Sequence, residues 1–89
     1  MKVVWLPRAI ANRDALIDHI AEANVTAAIE HDERIEVLTN QLEDQGRPGR
    51  KSGTRELVIN RTHFILVYRI KASSIVIVRL LHTSQAWTT

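Results

Sequence analysis

Residues 53–87, GTRELVINRTHFILVYRIKASSIVIVRLLHTSQAW, decide how the rest of this chain folds. Three apolar runs built from Val, Ile, Leu, Phe and Tyr are separated by brief polar turns, and those residue types fit a pleated, half-buried surface. The pattern predicts an antiparallel meander with strands over 55–60, 63–70 and 74–82. A sheet with a bare apolar face needs a second layer, and the material for it lies upstream.

Residues 1–6, MKVVWL, are too short a run for a helix and rich enough in Val and Trp for a first strand. Pro7 suits the first turn of a helix, where its missing N–H would have no partner in any case. From there Ala9, Leu16, Ile17, Ile20 and Ala21 recur at helical spacing, while Arg13, Asp14, Asp18 and Glu22 fall elsewhere on the wheel. Asn24 breaks the pattern and makes a good N-cap for a second helix running to about residue 42, whose apolar stripe is Ala28, Ile35, Leu38 and Leu42. A link of about two or three residues implies an antiparallel αα-hairpin. The expected class is α+β: an N-terminal strand and an αα-hairpin packed on a mainly antiparallel sheet that the C-terminal meander completes, all in one domain over 1–89.

Residues 44–54, DQGRPGRKSGT, hold all three glycines and the second proline, and they read as a loop. They lack the GxxxxGK[ST] spacing that cradles phosphates, so they are not read as a nucleotide site. In the strands, a strict two-residue repeat places Phe64, Leu66, Tyr68 and Ile70 on one face of the second meander strand. In the third it groups Ile75, Ile77, Arg79 and Leu81 against Val76, Val78, Leu80 and His82. Neither face is uniformly polar, which implies that both are at least partly covered. His63 falls in a turn at the surface.

Composition narrows the classes. There is no cysteine, which excludes disulfides and thiolate metal sites and fits a reducing cytoplasm. No apolar run approaches the roughly 18 residues of a membrane span, and no signal-peptide pattern opens the sequence; a cytoplasmic protein without a membrane partner is expected. Nothing in the sequence calls for a metal or cofactor. Net charge is +2 but lopsided. Residues 1–44 carry four basic and nine acidic side chains, a balance of −5, whereas residues 45–89 carry eight basic side chains against Glu56 alone, a balance of +7. An electropositive region built from Arg47, Arg50, Lys51, Arg55, Arg61, Arg69 and Arg79 should attract a polyanion or an acidic protein segment.

The order strand, αα-hairpin, basic Gly/Pro loop, meander resembles the RelE/ParE superfamily of bacterial type II toxins. The wording is similar as well: VVWLPRA at the start, DHIAEANVTAA across the hairpin, GRPGRKSGTREL into the second strand, FILVYRI in the third and IVIVRLLHTSQAW at the end. The resemblance runs from Val3 to Trp87. It implies a small growth-arresting toxin held in a hetero-oligomer by an acidic antitoxin, whose disordered half folds along it. The basic side chains above, with His82, Gln85 and Trp87, are then the candidates for contact with antitoxin or target.

The superfamily contains two mechanisms. RelE-like members cleave mRNA on the ribosome; ParE-like members inhibit DNA gyrase. Cleavage through the RNA 2′-OH needs proton-transfer groups and cations around the phosphate. When the chain is anchored on VYRI, the lysine positions of RelE-type sites fall on Glu56 and Val58, and an arginine position falls on Ile65. No tyrosine follows the last strand. A ribonuclease would have to use His82 as acid or base, assisted by Arg55, Arg61 or Arg79. These departures, the long hairpin and the RLLH ending favour the ParE-like reading, with the ribosome-dependent ribonuclease as the alternative.

Overall fold

The computed structural model describes residues 2–42, 46–49, 53–59 and 63–82. The elements follow in the order β1 (Lys2–Trp5), α1 (Pro7–Ala23), α2 (Val25–Asn40), β2 (Arg47–Pro48), β3 (Arg55–Val58), β4 (Phe64–Lys71) and β5 (Ser74–His82). They form a five-stranded sheet in the order β1-β5-β4-β3-β2 with two helices on one face. β3, β4 and β5 are the expected meander, joined by antiparallel pairs, and β1 lies parallel to β5, Val3 opposite Ile75 and Trp5 opposite Ile77.

The link between the helices is shorter than expected. Asn24 alone closes α1 and opens α2: its backbone N–H bonds to Ile20 O at 2.9 Å and its side-chain oxygen accepts the N–H of Ala27 at 3.0 Å. One extended residue thus satisfies orphan groups at two helix ends.

The core holds Ala9 from α1, Ile35 from α2, and Leu66, Tyr68, Ile75, Ile77 and Leu80 from the sheet, with Leu16, Ile17, Ile20 and Leu38 packed partly exposed around them. Each large aliphatic side chain buried there contributes about 1.5–3 kcal/mol. Ile35 is the centre of the α2 face, with no exposed surface, while Leu38 is half-buried. Thr39 is buried because its hydroxyl donates to Glu36 O at 3.0 Å, so the apolar stripe tolerates it.

Two expectations need correction. Residues 47 and 48, read as part of a loop, form the edge strand β2, with Arg47 opposite Glu56 and Pro48 opposite Arg55. A strand of two residues has no room for an apolar alternation, and a proline is admissible there because the strand is the edge of the sheet. Its approach is fixed from behind: Gly46 donates its N–H to the Tyr68 hydroxyl at 2.7 Å.

The second correction concerns the faces of β5. Tyr68 pairs with Ile77 but Val67 pairs with Arg79, which leaves Val78 as an extra residue, a β-bulge. Past the bulge the alternation reverses. Ile75 and Ile77 share the helix-covered side with Leu80 and His82, and Arg79 and Leu81 pass to the other.

Candidate functional site

The bulge sets the position of His82. Without it, the last core-facing residue of β5 would be Leu81; with it, His82 lies opposite Phe64, and its ring stands 6.2 Å from that of Phe64 and 5.6 Å from that of His63. His63 occupies the expected exposed bend before β4, but its ring lies tilted against that of His82 at 36° and so takes part in a structured cluster. From the hairpin, the His31 ring lies 5.9 Å from Phe64. His19, on α1, completes the set around a pocket of about 250 Å³. The chain has four histidines, and α1, α2, β5 and the bend before β4 bring all of them to this one pocket. Sequence reasoning passed over His19 and His31. The signal was their placement on either side of Asn24, which a tight hairpin turns toward the same end of the sheet.

Arg79 lies elsewhere. Its Nε donates to the side-chain oxygen of Asn12 on α1 at 2.8 Å, and the same oxygen accepts the N–H of Leu80 at 3.3 Å. Burial lowers the pKa of the Arg79 guanidinium and the positive charge of Arg8 lowers it further, yet it remains a cation at any physiological pH. One of its partners is thus an amide of the first helix. Arg55 is half-buried at the far end of the sheet, opposite Tyr68, with its guanidinium 3.4 Å from Gly46 O. Four residues of strand, about 13 Å, separate that pair from Phe64 and His82. Arg69 is exposed on β4. The backbone of Arg47 lies in β2. Arg50, Lys51, Arg61, Gln85 and Trp87 lie outside the described residues.

The described members of the suggested ribonuclease set, His82, Arg55 and Arg79, therefore do not converge. At the positions where RelE-type sites carry cations, Glu56 pairs with Val67 and Val58 pairs with Ile65, and Val58 is one of the most exposed apolar side chains of the chain. The apolar Val58–Ile65 pair has no proton to transfer and no charge to offer a phosphate, and the carboxylate of Glu56 carries a charge of the wrong sign.

A second constellation holds the hairpin together. Arg13 Nε donates to Asp32 at 2.8 Å, Nη1 to Glu36 at 2.9 Å and Nη2 to the carbonyl of Asp32 at 3.2 Å, while the guanidinium carbon sits 4.9 Å from the Trp5 ring centroid. Burial alone would lower the pKa of Arg13, but the hydrogen bonds and charges of Asp32 and Glu36 outweigh it and raise the pKa. Arg13, placed away from the apolar stripe by its position on the wheel, is in fact the polar tie between β1, α1 and α2. Among the described residues no helix is long and apolar enough to cross a membrane.

Comparison with known proteins agrees with this geometry. The family described as "ParE toxin of type II toxin-antitoxin system, parDE" matches residues 3–87. Y4kP, a protein of Sinorhizobium fredii named as a toxin, is 32% identical over 89 residues, which covers 97% of this chain and 92% of that protein. A solved structure of the chromosomal ParDE toxin–antitoxin system from P. aeruginosa superposes with a TM-score of 0.74 at 29% identity, covering 92% of this chain and 95% of that one.

Proposed function

The chain belongs to the ParE toxin family of type II toxin–antitoxin systems, and we propose that it arrests growth by binding DNA gyrase and that an acidic antitoxin neutralises it in a cytoplasmic hetero-oligomer. The observation that carries the choice of target is the pairing of Val58 with Ile65 and of Glu56 with Val67. Those positions hold the cations of RNA-cleaving relatives; here Val58 and Ile65 are apolar and Glu56 brings a carboxylate, whose charge has the wrong sign to stabilise a phosphate. Inhibition by binding needs only a complementary surface. The balance of +7 over residues 45–89 supports an acidic partner segment, since like charges are absent there apart from Glu56.

The test is a gyrase supercoiling assay with the purified toxin, run beside an mRNA integrity assay in a cell-free translation mix. The expected result is blocked supercoiling with intact message, reversed by the antitoxin encoded beside the toxin. Cleaved message with normal supercoiling would replace this reading with the ribosome-dependent ribonuclease.

A further inference from the structure

The pairing register brings three exposed cations together on the sheet face away from the helices. Val3, Tyr68, Ile70 and Ile75 pack on the helix side, so their chain neighbours Lys2, Arg69, Lys71 and Ser74 belong to the other face. Lys2 and Lys71 both pair with Ser74, one on each side of β5, and Arg69 lies in the next row, beside Val76 and Val4. Strand spacing puts the Cα atoms of Lys2 and Lys71 about 10 Å apart, and Arg69 about 7 Å along β4 from Lys71. All three residues are exposed, and among the described residues none of them takes part in an ion pair. Lys2 donates its backbone N–H to Ser73 O at 3.2 Å, which pins β1 to the turn between β4 and β5 and fixes the cluster from below. Lys2 comes from the acidic half of the chain, so the division of charge along the sequence gives no sign of this cluster.

Its surroundings select the partner. Arg79, which the bulge brings to the same face, stands in the row beyond Arg69 and adds a further positive charge. Among the described residues the face carries one carboxylate, Glu56, on the far side of Val67. Such a surface attracts a polyanion. An amphipathic acidic segment would also need an apolar anchor, and this end offers none: Val4 and Val76 are half-buried between the cations, and the exposed Val58 pairs with Ile65, four residues of β4 from Arg69. Single-stranded nucleic acid is held by aromatic side chains that stack on its bases, and here Trp5, Phe64 and Tyr68 all face the helices. A duplex backbone asks for positive charge alone, and its phosphates recur about every 3.4 Å of axis along a strand, so the roughly 7 Å from Lys71 to Arg69 spans two steps. We propose that Lys2, Arg69 and Lys71 bind the phosphodiester backbone of duplex DNA without regard to sequence. This goes beyond gyrase inhibition, which needs no contact between toxin and DNA.

Fluorescence anisotropy of the purified chain with a labelled duplex of about 20 base pairs, in roughly 50 to 200 mM salt, tests it. Three phosphate contacts predict a slope of log K on log salt of about −2.7, hence about 40-fold weaker binding at the higher salt. Lys2→Ala, Arg69→Ala and Lys71→Ala should each bring the slope to about −1.8, while Arg34→Ala, which removes a positive charge from α2, leaves it unchanged. A duplex of unrelated sequence should bind alike. Slopes that stay the same in all three variants, or that fall equally in Arg34→Ala, overturn the proposal. So does tighter binding of a poly-glutamate peptide or of a single-stranded oligonucleotide of the same length. A toxin that blocks supercoiling without binding the duplex overturns this surface and leaves the gyrase reading intact; one that binds through these three residues yet leaves supercoiling untouched supports the surface and removes the gyrase reading alone.

Discussion

The hydroxyl of Tyr68 accepts the backbone N–H of Gly46 at 2.7 Å from a side chain that has no exposed surface. A Cβ built on Gly46 would run into that ring, with Cε1 and Cζ both 2.9 Å away. The segment entering β2 is thus docked on the core by one hydrogen bond, and a glycine is needed there for closeness of approach.

Tyr68→Phe should cost about 1–3 kcal/mol, because it leaves the Gly46 N–H buried and unpaired. Gly46→Ala should cost about the same by overpacking. Urea denaturation of both variants checks this; a Tyr68→Phe protein as stable as the wild type would show that the contact holds nothing in place.

The hairpin tie depends on the fork of Arg13. Arg13→Lys keeps the charge but loses the fixed geometry that reaches Asp32, Glu36 and the Trp5 face together. Because both carboxylates are more than a third exposed, the expected loss is modest, about 1 kcal/mol. Thermal melts at low and high salt should show the wild-type advantage shrinking as salt rises, and an advantage indifferent to salt would assign it to packing on Trp5.

Ile35→Ala should destabilise by about 2–5 kcal/mol and Leu38→Ala by clearly less, since Ile35 is fully buried and Leu38 is not. Equal losses would mean that the two positions are equally covered in solution.

Ala72 turns the chain between β4 and β5 with φ at 53°, a left-handed conformation disfavoured for a residue with a Cβ. Ala72→Gly should therefore stabilise the fold by about 0.5–1 kcal/mol, after allowance for the greater freedom glycine gives the unfolded chain. A lower urea midpoint in this variant would count against the strained turn.

Asn12→Ala removes the oxygen shared by Arg79 and Leu80. It should cost about 1–2 kcal/mol and remove one of the ties on the Arg79 side chain. The readout that separates the two effects is gyrase inhibition at matched folded fraction: a changed inhibition constant identifies Arg79 as part of the target surface, and an unchanged one confines Asn12 to stability.

The meander and the hairpin were legible because periodicity reports burial directly. Ala9, Ala28 and Ile35 occupy the buried face that their spacing indicated, and Asn24 caps as its chemistry demands. What escaped the sequence depends on pairing across the fold. The bulge at Val78 has no local signature, yet it reverses the faces of Arg79, Leu80, Leu81 and His82. β2 escaped because backbone hydrogen bonds in a two-residue edge strand leave no side-chain pattern. For the site, His82 was legible as a strand-end histidine, but its neighbours His19 and His31 come from helices whose relative placement only the packing reveals. The wheel places Arg13 off the apolar stripe and says no more, for the same reason: a helical wheel shows which side a residue lies on and not what stands beside it.

The parallel pairing of β1 with β5 bears on the order in which the fold can form. Lys2–Trp5, the first of the described strands in chain order, has Ser74–His82 as its one strand neighbour among the described residues. The hairpin can close early, since its contacts are local, and β3 and β4 can pair next, but β1 must wait for β5 before it has a described strand to pair with. A chain stalled before residues 74–82 therefore leaves β1 unpaired and the apolar face of the hairpin partly bare.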